Sequence, residues 1–373
     1  MTELKKKTII KKLNIDPNKR LIFVADIHGD INTFKEGLQR INFNSNDELF
    51  LIGDFTEKGD ETYNLKTFRY IMELDKNFSN FHVLAGNCDE VLRFILPKDA
   101  KEKFLYFVNE HKRSILNDMA IEMNYPISYK MDVDDFVAKV QEKYKDLYEY
   151  MDNLADVMFL NDEIVLVHGG LDDIDNIPEY SLPMLKYDRF YELSPIQKKL
   201  MIVGHYPTRN YRADVASVNP IFDFRKKIIS IDGGNHVCKG GQINFIILES
   251  LNTMNFSYIY VDHYEKYEMK EDVFYEKPKN RVNITFVDNE VELVDKDLDF
   301  SFIRHKKTNQ FMWVHNSSLY QDKGTLKYYA YDATNEFLSL KKGSVISIIR
   351  RGEPYSIVKF DGYIGLIESR YLQ

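Results

Sequence analysis

From Leu21 to about Val261 the chain is punctuated by short apolar runs that each stop on a polar side chain. RLIFVAD closes on Asp26, ELFLIGD on Asp54, FHVLAGN on Asn87 and LMIVGH on His205, while EIVLVHGG runs through His168. Short apolar runs bounded by glycine or charge predict strands of a covered sheet. Between them, INTFKEGLQRI has apolar residues at helical spacing, and DDFVAKVQEKYKDLYEYMDNLADVMF reads as a helical segment with an amphipathic start. The region from about 98 to 158 therefore reads as a helical insertion. Strands alternating with helices predict an α/β architecture, whose ligand sites lie beyond the carboxyl ends of the strands. The five strand ends are expected to meet in space.

Past Val261 the pattern changes. DHYEKYEMKEDVFYEKPKN is charged and aperiodic, which predicts a linker over about 266–280 between a first domain, 1–265, and a C-terminal region, 281–373. That region is rich in β-branched and aromatic residues with turn signals, so it is expected to be all β.

With 44% hydrophobic and 29% charged residues the chain belongs with ordinary folded proteins, not disordered ones. A net charge of −8 argues against a protein that coats nucleic acid. The opening MTELKKKTIIKKLNI lacks the apolar stretch of a signal peptide, and no window approaches a membrane span, so a cytoplasmic location and no membrane contact are expected. Only Cys88 and Cys238 are present, which excludes a disulfide framework and a four-cysteine zinc site. Any metal must be held mainly by His, Asp and Asn.

The strand ends carry those residue types. Asp26 and His28 lie two apart, so on an extended strand end both would point to one side. Asp54 adds a carboxylate able to bridge two cations, Asn87 a neutral oxygen, and His168 and His205 imidazole nitrogens; all suit Mn, Fe or Zn. Each alone is as readily a satisfied structural residue. Six in five successive strand-end contexts are not.

The order DIHGD, GDFTEKG, GNCDE, HGGL, GHYPT resembles the calcineurin-like metallophosphoesterases, and within them the phosphoprotein phosphatase (serine/threonine phosphatase-like) branch, over about residues 20–261. The resemblance implies a four-layer α/β/β/α sandwich, with Asp26, His28 and Asp54 on one divalent ion and Asp54, Asn87, His168 and His205 on a second, Mn being the expected metal. It further implies attack on a phosphorylated substrate by a hydroxide bridging the ions, with no protein nucleophile. Asn87, Lys58 and Arg189 would bind substrate, and Glu57, Lys58, Asp89 and Arg189 are the catalytic candidates. Two departures stand out. Glu57-Lys58-Gly59 replaces the usual Asp-Arg-Gly, and an ammonium cannot offer the two-point clamp of a guanidinium. Arg189, after an aromatic-containing segment, is the expected phosphate clamp in its stead.

Cys88 stands where most of the branch has a histidine thought to protonate the leaving group and oriented by the following acid, here Asp89. A thiol is a poorer general acid. A covalent role would need a glycine-rich phosphate loop, which NCDEVLRF lacks. Ligation by the thiol is not expected, because adjacent residues on an extended chain point apart. GNCD also occurs in small phosphodiesterases of the wider superfamily. Three readings follow: a phosphomonoesterase acting on a phosphoprotein or small metabolite, a phosphodiesterase or dinucleoside-polyphosphate hydrolase, and a metal-binding scaffold without catalysis. Residues 327–373 resemble a bacterial SH3-like domain, through KKGSVISIIRRGEPYSIVKFDGYIG and the closing SRYL. That resemblance implies a peptide or protein partner, unless the module only packs or dimerises.

Overall fold

The computed structural model describes residues 6–60, 63–90, 101–286 and 288–373. They divide into two compact units: Met1–Tyr206 with Pro220–His236 and Ile243–Val261, and Pro207–Asn219 with Val237–Gln242 and Asp262–Gln373.

In chain order, the first unit contains β1 (Ile10–Leu13), β2 (Arg20–Val24), α1 (Ile31–Arg40), β3 (Asp47–Ile52), α2 (Tyr63–Asn77) and β4 (Phe81–Leu84). Helices α3 (Lys101–Glu110), α4 (Ile115–Glu122), α5 (Val133–Lys143) and α6 (Lys145–Asp152) follow. Then come β5 (Val157–Leu160), β6 (Ile164–Val167), the single turns α7 (Leu182–Leu185) and α8 (Phe190–Leu193), and β7 (Leu200–Val203). Strands β8 (Ile221–Asp223), β9 (Ile228–Ser230), β10 (Ile243–Leu248) and β11 (Phe256–Val261) complete it. One sheet has the order β11-β10-β2-β3-β4 and the other β1-β5-β6-β7-β9-β8.

The period of two along each strand builds the layers. Leu21 and Phe23 of β2, with Phe50 and Ile52 of β3, join Leu166 and Ile202 of the second sheet in one core. Ile22, Val24, Leu49 and Leu51, on the opposite face, pack against Phe34 of α1 and Phe68 of α2 in another. A third core lies outside the second sheet, where Val165, Val167 and Val203 meet Met184 and Phe190. Helix, sheet, sheet, helix is the four-layer α/β/β/α sandwich expected. Phe23 stacks on Phe50 with centroids 5.3 Å apart, and complete burial of each ring contributes roughly 1.5–3 kcal/mol.

The insertion is helical but differs in detail. Its start, 98–100, lies outside the described residues. The long segment expected after Asp134 breaks at Tyr144, whose φ of −114° and ψ of 30° separate α5 from α6. Its last residues, Val157 and Met158, begin β5. A fully buried run such as VMFL has no polar phase, so periodicity cannot tell strand from helix there. The left-handed Asn161 and Asp162 (φ 48° and 59°) turn β5 back into β6.

The second unit is β-rich. It contains β12 (Glu265–Glu268), β13 (Asn283–Ile284), β14 (Glu290–Lys296), β15 (Phe300–His305), β16 (Phe311–His315), β17 (Leu319–Gln321) and β18 (Tyr328–Ala330). β19 (Ala333–Thr334), β20 (Val345–Arg350), β21 (Tyr355–Phe360) and β22 (Tyr363–Glu368) follow. Its larger sheets run β16-β15-β14-β18-β17 and β12-β20-β21-β22. β12 occupies part of the segment expected as a linker. Within this unit Lys359 Nζ and Asp262 Oδ2 form a fully buried ion pair at 2.9 Å.

Candidate metal centre

Each expected ligand follows the last residue of a strand: Asp26 and His28 follow β2, Asp54 β3, Asn87 β4, His168 β6 and His205 β7. The backbone does not reach them as extended chain. Asp26, His28, Asp54 and His205 have φ of 56°, 46°, 51° and 69°, a left-handed region that non-glycine residues occupy at a cost of order 1–3 kcal/mol each. Asp26 and His28 do converge, with His28 Nε2 at 3.9 Å from Asp26 Oδ1. The cause is this left-handed backbone and not the pleat. Two glycines permit the crowding: a Cβ on Gly86 would lie 2.1 Å from Asp54 N, and one on Gly204 2.3 Å from Asp26 Oδ2.

Asp54 belongs to two donor groups. Its carboxylate clusters with Asp26 and His168 on one side and with His28 and Cys88 on the other, the donor atoms of each group lying within 4.8 Å of one another. His168 Nδ1 donates to Ile52 O at 2.8 Å, leaving Nε2 at 3.2 Å from both Asp54 Oδ1 and Asn87 Oδ1. His28 Nδ1 faces Thr56 O at 3.3 Å, again presenting Nε2. His205 stands one step outside. Its N–H donates to Asp26 at 3.1 Å and its ring lies 5.3 Å from that of His168, while its Nε2 meets Asp188 Oδ1 at 2.8 Å.

Electrostatics favour a cation here. Burial, then Asp232 beside it, pushes Asp26 well above the usual carboxylate range. Asp54 is held well below that range in spite of burial, by His168. Against its own burial, Asp54 in turn pushes His168 up to about 10. The donor set thus already draws a proton into its middle. Burial lowers His28 to about 3 and His205 to about 4, so both are neutral imidazoles with lone pairs to offer. Buried carboxylates and neutral imidazoles around a shared Asp54 fit divalent metals.

The other candidates take different places. Asp89 Oδ1 accepts from Phe55 N, Thr56 N and Thr56 Oγ1 at 3.0, 3.1 and 3.0 Å. Its Oδ2 accepts from Asp54 N at 2.8 Å and Gly86 N at 3.0 Å. The carboxylate clamps the two loops that carry Asp54 and Asn87. Buried Glu57 caps α4 by accepting from Ser114 Oγ at 2.9 Å and Ile115 N at 2.8 Å. Lys58 opens into a cleft. Burial there would lower its pKa, but Cys88, Asp54, Asp232 and Asp26 hold it above the ordinary lysine value. Arg189 is not in that cleft; its guanidinium pairs with Glu192 at 2.5 Å on the surface.

Cys88 corrects an expectation. Residues 87–90 form a turn, not an extended chain, so Asn87 and Cys88 both reach the donors. Cys88 N donates to Asp54 Oδ1 at 2.8 Å, and its Sγ lies with His28 and Asp54. Arg93, the arginine of NCDEVLRF, lies outside the described residues.

Sequence reasoning missed several neighbours. Asp232 follows β9 under the same strand-end rule and is buried, with Oδ1 accepting from Gly234 N at 2.7 Å and Oδ2 without a hydrogen-bond partner among the described residues. Arg113, between α3 and α4, donates from Nε to Gly59 O at 3.2 Å, and its Nη2 lies 3.0 Å from His236 Nδ1. His236 Nε2 is 3.3 Å from Asp30 Oδ2. The cleft, about 660 Å³, is lined by Lys58, Asn87, Cys88, Arg113, Lys186 and His236 among others. No local signal marked Arg113 or Lys186.

The sequence profile described as "Calcineurin-like phosphoesterase" matches residues 19–302. No curated protein matches. Among solved structures, a candidate diadenosine tetraphosphatase is 14% identical over 68% of this chain and 98% of its own, with a TM-score of 0.42. A serine/threonine phosphatase from Saccharomyces cerevisiae, similar to human PP5, is 12% identical over 70% and 86%, with a TM-score of 0.39. The cold-active protein-tyrosine phosphatase of a psychrophilic Shewanella species is 12% identical over 68% and 83%, with a TM-score of 0.39.

Proposed function

The chain belongs to the calcineurin-like phosphoesterase family, and we propose that it hydrolyses phosphomonoesters at a dinuclear centre. The observation that carries this reading is that Asp54 is common to two groups of donors, one with Asp26 and His168 and one with His28 and Cys88; the division of ligands between the two ions is the one the family resemblance implies. Asp26, His28 and Asp54 would hold one ion, and Asp54, Asn87, His168 and His205 the other, with manganese the first metal to test. Two such ions supply a water of lowered pKa and neutralise phosphate charge.

This chain's own residues do the rest. Hydrogen bonds from the rings of His28 and His168 to backbone carbonyls set their orientation, and Asp188 steadies His205. Asp89 holds the Asp54 and Asn87 loops in register. Lys58 brings a positive charge to the cleft, suited to the dianion of a monoester.

Cys88 supports a second reading, as a phosphodiesterase or dinucleoside-polyphosphate hydrolase, because no imidazole at that position offers a proton to an alkoxide leaving group. Mn-loaded enzyme assayed on p-nitrophenyl phosphate and bis-(p-nitrophenyl) phosphate separates the two. Strong diester and negligible monoester turnover would sink the leading reading. For the β unit we propose an SH3-like module that binds a peptide or protein segment; loss of pull-down on deleting 327–373, with catalysis intact, would support it.

A further inference from the structure

Resting on the phosphoesterase reading, we propose that the cleft beside the metal centre is a second-phosphate subsite, so that beyond simple monoesters the enzyme takes small phosphoanhydrides whose terminal phosphate is joined to a second one. The terminal phosphate would sit at the metals and the penultimate one on Arg113 and Lys186.

Charge is the first support. Lys58, Lys112, Arg113 and Lys186 all line the cleft. Its two acids are engaged elsewhere, Glu57 by Ser114 and Ile115 and Glu110 by the Tyr129 hydroxyl at 2.6 Å. Arg113 is held in place through Nε and Nη2, so its planar fork is ordered in advance and Nη1 has no partner among the described residues. That arginine reaches the site from the insertion, where Nη1 adds an oriented cationic donor beside Lys58.

Shape and composition are the second. About 660 Å³ is the size of a small-molecule site. Phe107 and Leu182 add apolar surface to the lining, and Phe107 lies against His111 with ring centroids 5.0 Å apart. A planar base carried on a polyphosphate would find both cations and a ring surface in the same cleft.

The leaving group is the third. In a phosphoanhydride the bond from the bridging oxygen to the terminal phosphorus breaks, and the bridging oxygen keeps the electron pair. Water oxygen forms the new bond to phosphorus, and the water protons pass to the products and buffer. A phosphate departs as an anion near neutral pH, so a cysteine where the family has a histidine costs little. The cations of the cleft then stabilise the charge that develops on that phosphate.

The test compares p-nitrophenyl phosphate, ADP and inorganic tripolyphosphate with the Mn-loaded full chain and its Arg113→Ala, Arg113→Lys and Lys186→Ala variants. Arg113→Ala is expected to lower kcat/KM on ADP and tripolyphosphate about 30-fold while changing p-nitrophenyl phosphate less than about 3-fold. Arg113→Lys should fall between. Lys186, which stands on another element, should show the same selectivity at about 5–10-fold. ADP favoured over tripolyphosphate would place the base on the Phe107 surface; equal use would keep the phosphates alone as the recognised group. Equal losses on all three substrates, or none, would overturn the subsite. A wild-type enzyme active on p-nitrophenyl phosphate but on neither polyphosphate, or one preferring a doubly phosphorylated peptide, overturns the subsite and leaves the phosphoesterase reading standing. No turnover of any of them with Mn, Fe or Zn overturns both.

Discussion

Replacing Asp89 by asparagine should damage the architecture of the metal centre before it touches any chemistry. Asp89 accepts five hydrogen bonds, three at Oδ1 and two at Oδ2. An asparagine keeping its oxygen at the Oδ1 position satisfies three donors and turns an NH₂ group toward the N–H groups of Asp54 and Gly86. Leaving two buried donors unpaired costs about 1–3 kcal/mol each; with partial relaxation, the loss should be about 3–4 kcal/mol. The flipped amide leaves three unpaired and is worse. Asp54 carries one of the orphaned N–H groups, so its carboxylate shifts with the loop and both donor groups loosen. The expected result is a melting temperature lower by roughly 5–10 °C together with fewer than two metals per chain by elemental analysis. Thr56→Val, which removes one donor of five, should cost only about 1 kcal/mol and keep both metals. An Asp89→Asn protein that melts within about 1 °C of wild type, holds two metals and yet loses turnover would refute this. The carboxylate would then act in the reaction itself.

Other expectations follow from the same geometry. His168→Ala should reduce metal content from two toward one and turnover by more than about 100-fold, and near-normal activity would contradict the ligand assignment. Gly86→Ala, whose Cβ would lie 2.1 Å from Asp54 N, should lose metal, whereas Gly324→Ala, whose nearest neighbour is 3.5 Å away, should be indistinguishable from wild type in metal content and melting. Cys88→His should raise kcat on alkyl phosphates more than on nitrophenyl esters, since only poor leaving groups need a proton; an equal effect on both removes the general-acid argument. In the β unit, burial would raise the Asp262 carboxyl, but Lys359 and Lys266 bring it down to about 2. A folded pKa below the unfolded value stabilises the protein above about pH 4 and loses that contribution as pH falls toward 2, a difference of roughly 2–3 kcal/mol. Acid unfolding followed by circular dichroism should show that component in wild type and not in Asp262→Asn.

How much of this was legible in the chain depends on the range of the interaction. Strand identity in β2, β3, β4, β6 and β7 is local, because an apolar run ended by a polar residue or glycine is both the pattern read and the structure formed. The four layers follow from the alternation that sends Phe23 one way and Val24 the other. β1 escaped notice because Lys11 and Lys12 sit on an exposed edge, where no burial imposes a pattern. β5 escaped because no glycine or proline separates its apolar run from the helical segment before it.

At the site, the sequence by itself determined which residue types stand at the strand ends, and with them Asp26, His28, Asp54, Asn87 and His168 as a meeting set. Only the tertiary structure decided what each does there. Asp89 and Glu57, read as catalytic candidates, accept hydrogen bonds from the Asp54 and Gly86 loops and from the start of α4, donors on segments brought together by folding. Arg189 pairs with Glu192 three residues on, while Arg113, fifty-four positions from its partner Gly59, enters the cleft. A side chain's partner across such a separation is set by how the insertion packs, a sum of many contacts that no short stretch of sequence contains. For that reason residue type was readable and partnership was not.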